Sequence, residues 1–441
     1  MSSWKKVRFS EICDITRGGS PRPIQEYMAN DGVPWIKISD ATASNSRFIE
    51  KTKEYIKKSG ISKSREVFPG DLILSNSATP GIPKFMRIYA CIHDGWLLLR
   101  NFKGANKEFI YWLLLNERDK LIQQGNGSVF TNLKTDILKN HIVNIPDDIE
   151  EQKRIATILN NIQEKIELNT QINQTLEQIA QTIFKSWFID FDPVYAKANA
   201  LANGQTAEQA TQAAMAVISG KNTQELHRLQ TANPEQYQQL WEIAEAFPSG
   251  VDEEGVPRGW ESKKVGEVAK IVKGKKPKLI SSEPDDGFLP HILMASLSGK
   301  YTEYAQIDKS IVCDIFDTLI LMDGAASGKI AIGHKGVIGS TFAKMELSEN
   351  KYWALFNLFM FSKEQDIQAN TTGTSIPHTD KARVLDYEII VPCDVVLNYF
   401  TEMYKNILCS ILNQRKNSFI LENIRDLLLP KLLSGEILNG N

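Results

Sequence analysis

A long internal repeat constrains the fold of this 441-residue chain more than any other feature. Blocks of similar residues recur in the same order, about 250 positions apart, which predicts two copies of one domain. The offset falls along the chain, so we expect loop-sized deletions in the second copy. The matched blocks are Trp4–Pro21 with Trp260–Pro277 and Pro34–Ile36 with Pro290–Ile292 at 256, Asp71–Leu74 with Thr318–Leu321 at 247, and Gly127–Ser128 with Gly373–Thr374 and Val143–Pro146 with Ile389–Pro392 at 246.

Each copy is followed by a segment whose apolar residues are spaced by alternating steps of three and four. This spacing predicts two long helices that form a coiled coil of about five heptads. The seam residues are Ile155, Leu159, Ile162, Ile166, Leu176 and Ile183 in the first helix, and Phe400, Tyr404, Ile407, Ile411, Leu421 and Leu428 in the second.

Four polar residues interrupt this seam: Asn169 and Asn173 in the first helix, Gln414 and Ser418 in the second. Antiparallel pairing places Asn169 opposite Ser418 and Asn173 opposite Gln414, but parallel pairing also aligns the polar layers. A pseudo-two-fold molecule with equivalent domains at its two ends requires the antiparallel form, which we therefore predict. We interpret the four residues as a polar layer that sets the register.

Short apolar runs alternate with helical stretches inside each copy, as at Trp96–Leu99 and Lys107–Gln123. The predicted fold class is therefore α+β, with two repeated mixed α/β domains joined by two long antiparallel coiled-coil helices. The predicted boundaries are 1–148 for the first domain, 149–190 for the first helix, 191–258 for a helical connector, 259–393 for the second domain and 394–441 for the second helix.

The connector carries clear helix-start signals. Thr206 and Gln209 have the spacing of a capping box, and Asn233 precedes a proline at a first helical position. An apolar strip either packs on the coiled coil or docks a partner, and it consists of Leu226, Leu229, Tyr237, Leu240 and Trp241.

Cysteine and histidine usage argues against a disulfide or metal framework. The five cysteines are scattered without a C-x-x-C pair, and the six histidines have no metal-ligand spacing. Neither a signal peptide nor an apolar run of about 20 residues is recognisable. We expect a cytoplasmic protein that binds no metal.

Motifs for catalysis are weak. The segment Gly324–Ile330 is one residue short of a phosphate-binding loop and lacks Ser or Thr after Lys329. Acidic residues between Pro146 and Lys153 are too closely spaced for a metal-dependent nuclease core, and they suit a helix N-terminus. We therefore predict no catalytic residues. A stand-alone nuclease with a bipartite target and a coiled-coil scaffold without sequence-specific binding remain the alternatives.

The regional charge and the loop composition favour DNA contact. Residues 1–150 carry 22 basic and 17 acidic side chains, whereas residues 151–259 carry 8 and 14. The loops of both copies are rich in small polar and basic residues, which suit phosphate and base-edge contacts, although loops are polar in most proteins. The candidate DNA-contact residues are Arg17, Ser20, Arg22, Lys37, Ser39, Asn76, Ser77, Thr79, Lys84, Asn126, Ser128, Thr131, Asn132 and Lys134 in the first copy, and Lys273, Lys275, Lys276, Lys278, Ser296, Ser298, Lys300, Ser327, Lys329, Thr372, Thr374, His378 and Lys381 in the second.

The chain resembles the specificity (S) subunit of type I restriction–modification systems over essentially its whole length. The second copy departs from the pattern, with Val395–Leu397 where Glu-Gln-Lys-Arg is expected, which affects only a local helix start or partner contact. The resemblance is carried by the starts at Trp4 and Trp260, Ile145–Pro146 with Glu150–Ile155, Phe184–Pro193 and Leu429–Ile437.

This resemblance implies a non-catalytic DNA-binding subunit with two target recognition domains. The long helices would bind two modification subunits and set the spacer of an asymmetric, bipartite target. A helix over 153–188 is about 54 Å long, more than the roughly 34 Å of a duplex turn. Restriction subunits would join through the assembled complex. S-adenosylmethionine, ATP and Mg²⁺ would be bound by the partner subunits and none by this chain.

Overall fold

The computed structural model describes residues 3–43, 46–124, 132–373 and 376–436. The chain divides into two compact units. Unit 1 comprises Met1–Leu168 and Ile420–Asn441, and unit 2 comprises Asn169–Phe419. Each unit therefore combines one repeat domain with a segment of each long helix.

The first repeat domain lies in unit 1, and its described residues form short strands with six α-helices and one 3-10 helix between them. One of these helices, Lys107–Asn116, is capped by Asn106, whose side chain accepts a hydrogen bond from the Phe109 amide. The elements are β1 (Trp4–Arg8), α1 (Phe9–Ile12), β2 (Asp14–Arg17), α2 (Ile24–Tyr27), β3 (Met28–Ala29), β4 (Val33–Ile36), α3 (Ile38–Thr42), β5 (Phe48–Ile49), β6 (Tyr55–Ile56), a 3-10 helix (Lys58–Lys63), β7 (Arg65–Val67), β8 (Leu72–Ser75), β9 (Pro83–Met86), β10 (Ala90–Ile92), β11 (Trp96–Arg100), α4 (Lys107–Asn116), α5 (Arg118–Gln124), α6 (Thr135–Asn140) and β12 (Ile142–Pro146).

These strands form two five-stranded sheets, of order β2-β11-β8-β9-β5 and β3-β6-β4-β10-β7, and a two-stranded ribbon of β1 and β12. Helix α4 buries Phe109 and Trp112 in the core of unit 1. The helix predicted over Lys107–Gln123 is divided into α4 and α5 at Glu117, whose carboxylate lies 3.1 Å from Nε2 of His141.

Unit 2 contains the connector and the second repeat domain. The connector consists of α8 (Asp192–Ala202), α9 (Ala207–Ser219), α10 (Thr223–Ala232) and α11 (Pro234–Ala246). The domain consists of β13 (Glu261–Lys264), α12 (Val265–Val268), β14 (Ala269–Lys273), β15 (Ile280–Ser281), β16 (Phe288–Ile292), a 3-10 helix (Met294–Ser298), β17 (Tyr304–Gln306), β18 (Ile311–Cys313), β19 (Thr318–Leu321), β20 (Ile330–Ala331), β21 (Gly336–Ile338), β22 (Phe342–Leu347), a 3-10 helix (Asn350–Tyr352), α13 (Trp353–Ala369), α14 (Lys381–Asp386) and β23 (Glu388–Val391).

The sheets of the second domain repeat the topology of the first. The order β15-β17-β16-β21-β18 follows β3-β6-β4-β10-β7 strand for strand, and β14-β22-β19-β20 follows β2-β11-β8-β9. The parallel pair β4–β10 recurs as β16–β21, and the ribbon β1–β12 recurs as β13–β23. The sequence repeat is therefore a repeat of one fold.

The strand ladders correct one predicted alignment between the copies. Equivalent ladders run through Arg17, Leu97 and Leu74 in the first domain and through Lys273, Ala343 and Ile320 in the second. Leu74 is therefore equivalent to Ile320, an offset of 246, and the predicted match with Leu321 is wrong by one residue. Because the run consists of similar apolar residues, its sequence matches at an offset of either 246 or 247. The backbone hydrogen bonds of the strands are consistent only with 246.

The two long helices are α7 (Ile149–Phe188) and α15 (Asp394–Leu433). In unit 2 their segments run antiparallel, because Nδ2 of Asn169 donates to Oγ of Ser418 at 3.2 Å, and Arg415 contacts Glu177 at 3.0 Å. The predicted Asn169–Ser418 pair is confirmed.

The antiparallel register set by Asn169 and Ser418 is compatible with Asn173 opposite Gln414, which stays a prediction. The Asn173 amide lies against the backbone of α15 and donates to the carbonyl of Ile411 at 3.3 Å. A short asparagine side chain reaches this main-chain acceptor directly, so the polar layer here joins a side chain to backbone.

The connector packs into the core of unit 2. Leu226 and Leu240 are buried in an apolar cluster with Trp187 of α7 and Phe400 of α15. The buried ammonium of Lys197 donates to the carbonyls of Ala244, Glu245 and Phe247, which ties α8 to the end of α11. The apolar strip predicted in the connector therefore packs within unit 2. The other strip residues, Leu229, Tyr237 and Trp241, are partly buried against the same cluster.

The helix-start signals of the connector are confirmed. Thr206 and Gln209 form a reciprocal capping box, and the side chain of Asn233 accepts from the Gln236 amide at 3.1 Å. Within the described ranges, no helix is long and apolar enough to cross a membrane.

Candidate nucleic-acid interface

Most of the predicted DNA-contact residues are accessible. Some lie at the surface and others are half-buried in loops that follow strand ends, where side chains can reach a ligand without breaking a sheet. Four of the candidates, Asn126, Ser128, Thr131 and Thr374, lie outside the described residues. The exposed candidates are Arg17, Arg22, Ser39, Asn132, Lys134, Lys273, Lys275, Lys276, Lys278, Ser298, Lys300, Thr372, His378 and Lys381, and the half-buried ones are Ser20, Lys37, Ser77, Thr79 and Lys329.

Four other candidates, Asn76, Lys84, Ser296 and Ser327, are buried and have internal partners. Lys84 donates to the Ser46 carbonyl, and burial lowers the pKa of its ammonium to about 8, although the charge of Glu167 opposes the shift. Ser296 donates to the carbonyl of His291. The Asn76 amide and the Ser327 hydroxyl also donate to main-chain carbonyls. Their geometry suits them to supporting the loops, not to reaching a ligand.

In the first domain, the Asp94 carboxylate contacts three of the candidate side chains. Its carboxylate accepts from Ser20 at 2.6 Å and lies 3.8 Å from both Arg17 and Arg22. Partial burial acts to raise the pKa of Asp94, but the Ser20 hydroxyl and the charges of His93 and Arg17 outweigh it and hold that pKa below its usual value. One carboxylate thereby contacts both Arg17, at the end of β2, and Arg22, in the segment that follows.

In the second domain, the Asp323 carboxylate likewise contacts two of the candidate side chains. Its two carboxylate oxygens lie 2.9 Å from Nζ of Lys273 and 2.8 Å from Nδ1 of His378. Partial burial acts to raise the pKa of Asp323, but the contacts with Lys273 and His378 outweigh it and lower that pKa. Three segments distant in sequence therefore meet at one exposed cluster.

Asp94 and Asp323 were not among the predicted contact residues, because acidic side chains are not expected on a phosphate-binding surface. A signal for Asp323 was present in the repeat. At the offset of 246 it is equivalent to Ser77, which was predicted. The one-residue error in the strand alignment concealed this match.

The loop after β14 carries a second, purely basic group. Lys275, Lys276 and Lys278 are all exposed within four positions of one another. Gly274 precedes them, and a Cβ there would lie 2.2 Å from the Gly339 carbonyl oxygen, so only glycine allows the strand to approach this closely. The loop presents three ammonium groups as point charges suited to phosphate contact.

A cavity of about 420 Å³ lies in unit 2 and is lined by side chains of the second domain and of both long helices, including His334, Tyr404 and Arg415. Burial, and then the charge of Arg415, lowers the pKa of His334 to about 4. The ring is therefore neutral in the folded protein at neutral pH.

We expect His334 to make unit 2 sensitive to acid. Its folded pKa lies below the unfolded value of about 6.5, so the unfolded chain binds more protons between these values, and stability falls as the pH falls through that window. We expect unit 2 to lose about 2 kcal/mol between pH 7 and pH 5 through this residue. Urea unfolding at the two pH values measures it. His334→Gln should remove that part of the loss, whereas His227→Gln, at an exposed histidine, should not. Equal pH dependence in the His334 variant and the wild type would contradict the assignment.

Comparison with known proteins places these features in a family. Residues 1–178 and 257–394 match the family described as the type I restriction modification DNA specificity domain. The chain is 31% identical to the type I restriction enzyme HindI specificity subunit of Haemophilus influenzae, with 99% of this chain and 100% of that protein covered. It is 25% identical to the MjaIX specificity subunit of Methanocaldococcus jannaschii, with 98% and 93% covered.

A solved structure has the same fold. The crystal structure of a type I restriction-modification S subunit from M. genitalium matches with a TM-score of 0.56 and 13% sequence identity, covering 98% of this chain and 96% of that one. At this level of identity the likeness concerns the fold alone.

Proposed function

This chain belongs to the family of type I restriction–modification specificity subunits, and on that premise we propose that each repeat domain reads one half of an asymmetric, bipartite DNA target. The chain is a DNA sequence-recognition subunit and not itself the enzyme. The proposal rests chiefly on one observation: the two domains share a topology yet present different side chains at equivalent loop positions. A shared scaffold with different loops suits two half-sites of different sequence.

The long helices would set the spacer and dock the modification subunits. A helix of 40 residues is about 60 Å long. In unit 1, α15 exposes an apolar stripe at helical spacing, made of Ile420, Ile424 and Leu427, and Leu427 is 68% exposed. An apolar stripe that the chain leaves open to solvent is typical of a protein–protein interface. We assign it to one of two modification subunits.

The chemistry would reside in the partners. The modification subunits would bind S-adenosylmethionine and flip the target adenine, and restriction subunits joined through the complex would use ATP and Mg²⁺. Within the described residues, no group of three or more His, Cys, Asp or Glu side chains is arranged to hold a metal ion. The complex would act in the cytoplasm, where the host DNA lies.

A methylation map tests this function. The chain is co-expressed with its modification subunit, and modified adenines in the host DNA are sequenced. We expect one split motif, with two different halves separated by unread base pairs. Exchanging residues 1–148 for another recognition domain should change one half only, and this exchange serves as the internal control.

Other results would support other functions. An assembled complex that methylates no split motif contradicts the proposal. Cleavage of DNA by the purified chain with Mg²⁺ would favour the nuclease alternative. Complex formation without any sequence preference would favour the scaffold alternative.

A further inference from the structure

Backbone hydrogen bonds extend the equivalence of the two domains into their loops. The amide of Asn76 donates to the Gly95 carbonyl at 2.7 Å, and the amide of Met322 donates to the Thr341 carbonyl at the same distance. The amide of Leu133 donates to Asn76, and that of Thr379 donates to Met322. The residues beside these pairs are therefore equivalent as well: Ser77 with Asp323, and Asn132 with His378.

The strand ladder makes Arg17 equivalent to Lys273. With the two loop equivalences above, each domain therefore has one triplet of equivalent positions. The triplets are Arg17, Ser77 and Asn132 in the first domain and Lys273, Asp323 and His378 in the second. All six side chains are exposed or half-buried. In each domain the three positions come from the end of a strand and from two loops that the backbone hydrogen bonds hold together.

In the second domain the Asp323 carboxylate contacts both other members of the triplet, Lys273 and His378. In the first domain, the Asp94 carbonyl accepts two hydrogen bonds. Nε of Arg17 donates at 2.8 Å, and the side-chain amide of Asn76, the residue before Ser77, donates at 3.2 Å. The two domains therefore share the backbone arrangement at these positions but differ in the side chains. The first domain has Arg, Ser and Asn, and the second has Lys, Asp and His.

We propose that these two triplets read base edges, one triplet for each half-site, and that their different chemistry makes the half-sites differ. The inference rests on the proposed function. Arginine and lysine donate to guanine, asparagine pairs with adenine, and a carboxylate accepts from the amino group of cytosine.

The position of Asp323 argues for base reading in particular. A carboxylate beside a phosphate is repelled, so an acidic side chain at the centre of a basic surface does not serve backbone contact. It can accept a hydrogen bond from a base, and it fixes the orientation of the lysine and histidine beside it. A purely structural role is the rival explanation, but exposed ion pairs contribute little to stability.

Transplanting the triplet tests the inference. The variant Lys273→Arg, Asp323→Ser, His378→Asn is made in the full chain and co-expressed with the modification subunit, and modified adenines are mapped. We expect the first half of the motif to be unchanged and the second half to change at one or more base pairs. Methylation at the wild-type motif should fall about tenfold or more.

A matched control alters another exposed ion pair of the same domain. Lys264→Gln with Asp386→Asn removes the contact between those two side chains and should leave the motif unchanged. If the triple variant does not assemble, the nearly isosteric Asp323→Asn takes its place, with the same expected loss at the second half-site.

The outcomes separate the inference from the function it rests on. An assembled triplet variant that reads the wild-type motif unchanged overturns the triplet assignment and leaves the proposed function standing. Altered reading of both halves also overturns it. A wild-type complex that assembles but has no split motif overturns both.

Discussion

Replacing Lys275, Lys276 and Lys278 with glutamine should lower the affinity of the assembled complex for DNA by about 10²-fold at 0.1 M salt. All three ammonium groups are exposed on the loop after β14. Each phosphate contact releases counterions and contributes about 0.9 to the slope of log K against log salt concentration. Losing three contacts should therefore make binding less salt-dependent, with the magnitude of that slope reduced by about 2.7. Fluorescence anisotropy of labelled duplex at 50–200 mM salt measures both quantities.

The control removes the same number of charges from the long helices. Lys185, Lys405 and Lys416 are exposed on α7 and α15, and their replacement with glutamine changes the net charge equally. Because the long helices also dock the modification subunits in the proposed complex, assembly of this variant is first verified by gel filtration. We expect the assembled variant to keep most of the affinity and nearly all of the salt slope. Equal losses in the two variants would mean that net charge, and not the loop, governs binding.

The lysine variant also differs from the triplet variant in kind. Phosphate contacts carry no sequence information, so binding should weaken for all sequences alike and the methylated motif should stay the same. Base contacts change the motif itself. Loss of affinity without a change of motif therefore identifies the lysine loop, and a changed motif identifies the triplet.

Features that depend on local chemistry could be predicted from the sequence. The capping box at Thr206 involves residues only three positions apart, and the repeat shows itself by letter matches at Trp4 and Trp260. The Asn169–Ser418 pair also followed from the seam pattern, because a helix fixes which positions share a face.

Features that depend on distant segments could not be predicted. Lys84 and Ser296 look like surface residues in the sequence, but sheet and helix packing bury them. The contacts of the acidic residues in the loop clusters join side chains about 50 or more positions apart, as with Asp323 and His378, and no local pattern shows them. Composition identifies polar loops, but only the fold shows which of their side chains meet.

Arg47 is the clearest example of such a long-range role. Its side chain is 3% exposed, and its guanidinium contacts side chains of the first repeat domain and of α7 within unit 1. Nη1 lies 3.3 Å from Glu108 and also donates to Asn160, and Nη2 lies 3.0 Å from Glu164. The Trp112 indole shares the Asn160 oxygen, so the network extends into the core. One buried cation therefore ties the first repeat domain to the helix that leaves it.

Replacing Arg47 with methionine should lower the free energy of unfolding of unit 1 by about 2 kcal/mol, because two partly exposed carboxylates and the half-buried amide of Asn160 lose their charged hydrogen-bond partner. Urea unfolding of the full chain measures this. Arg87→Met is the matched control, since Arg87 also stacks on Phe48 but pairs with Glu50 at the surface, where such pairs contribute below about 1 kcal/mol. Similar losses in the two variants would contradict a buried network. We therefore expect the same residue type, stacked on the same ring, to stabilise unit 1 more at the buried position of Arg47 than at the exposed position of Arg87.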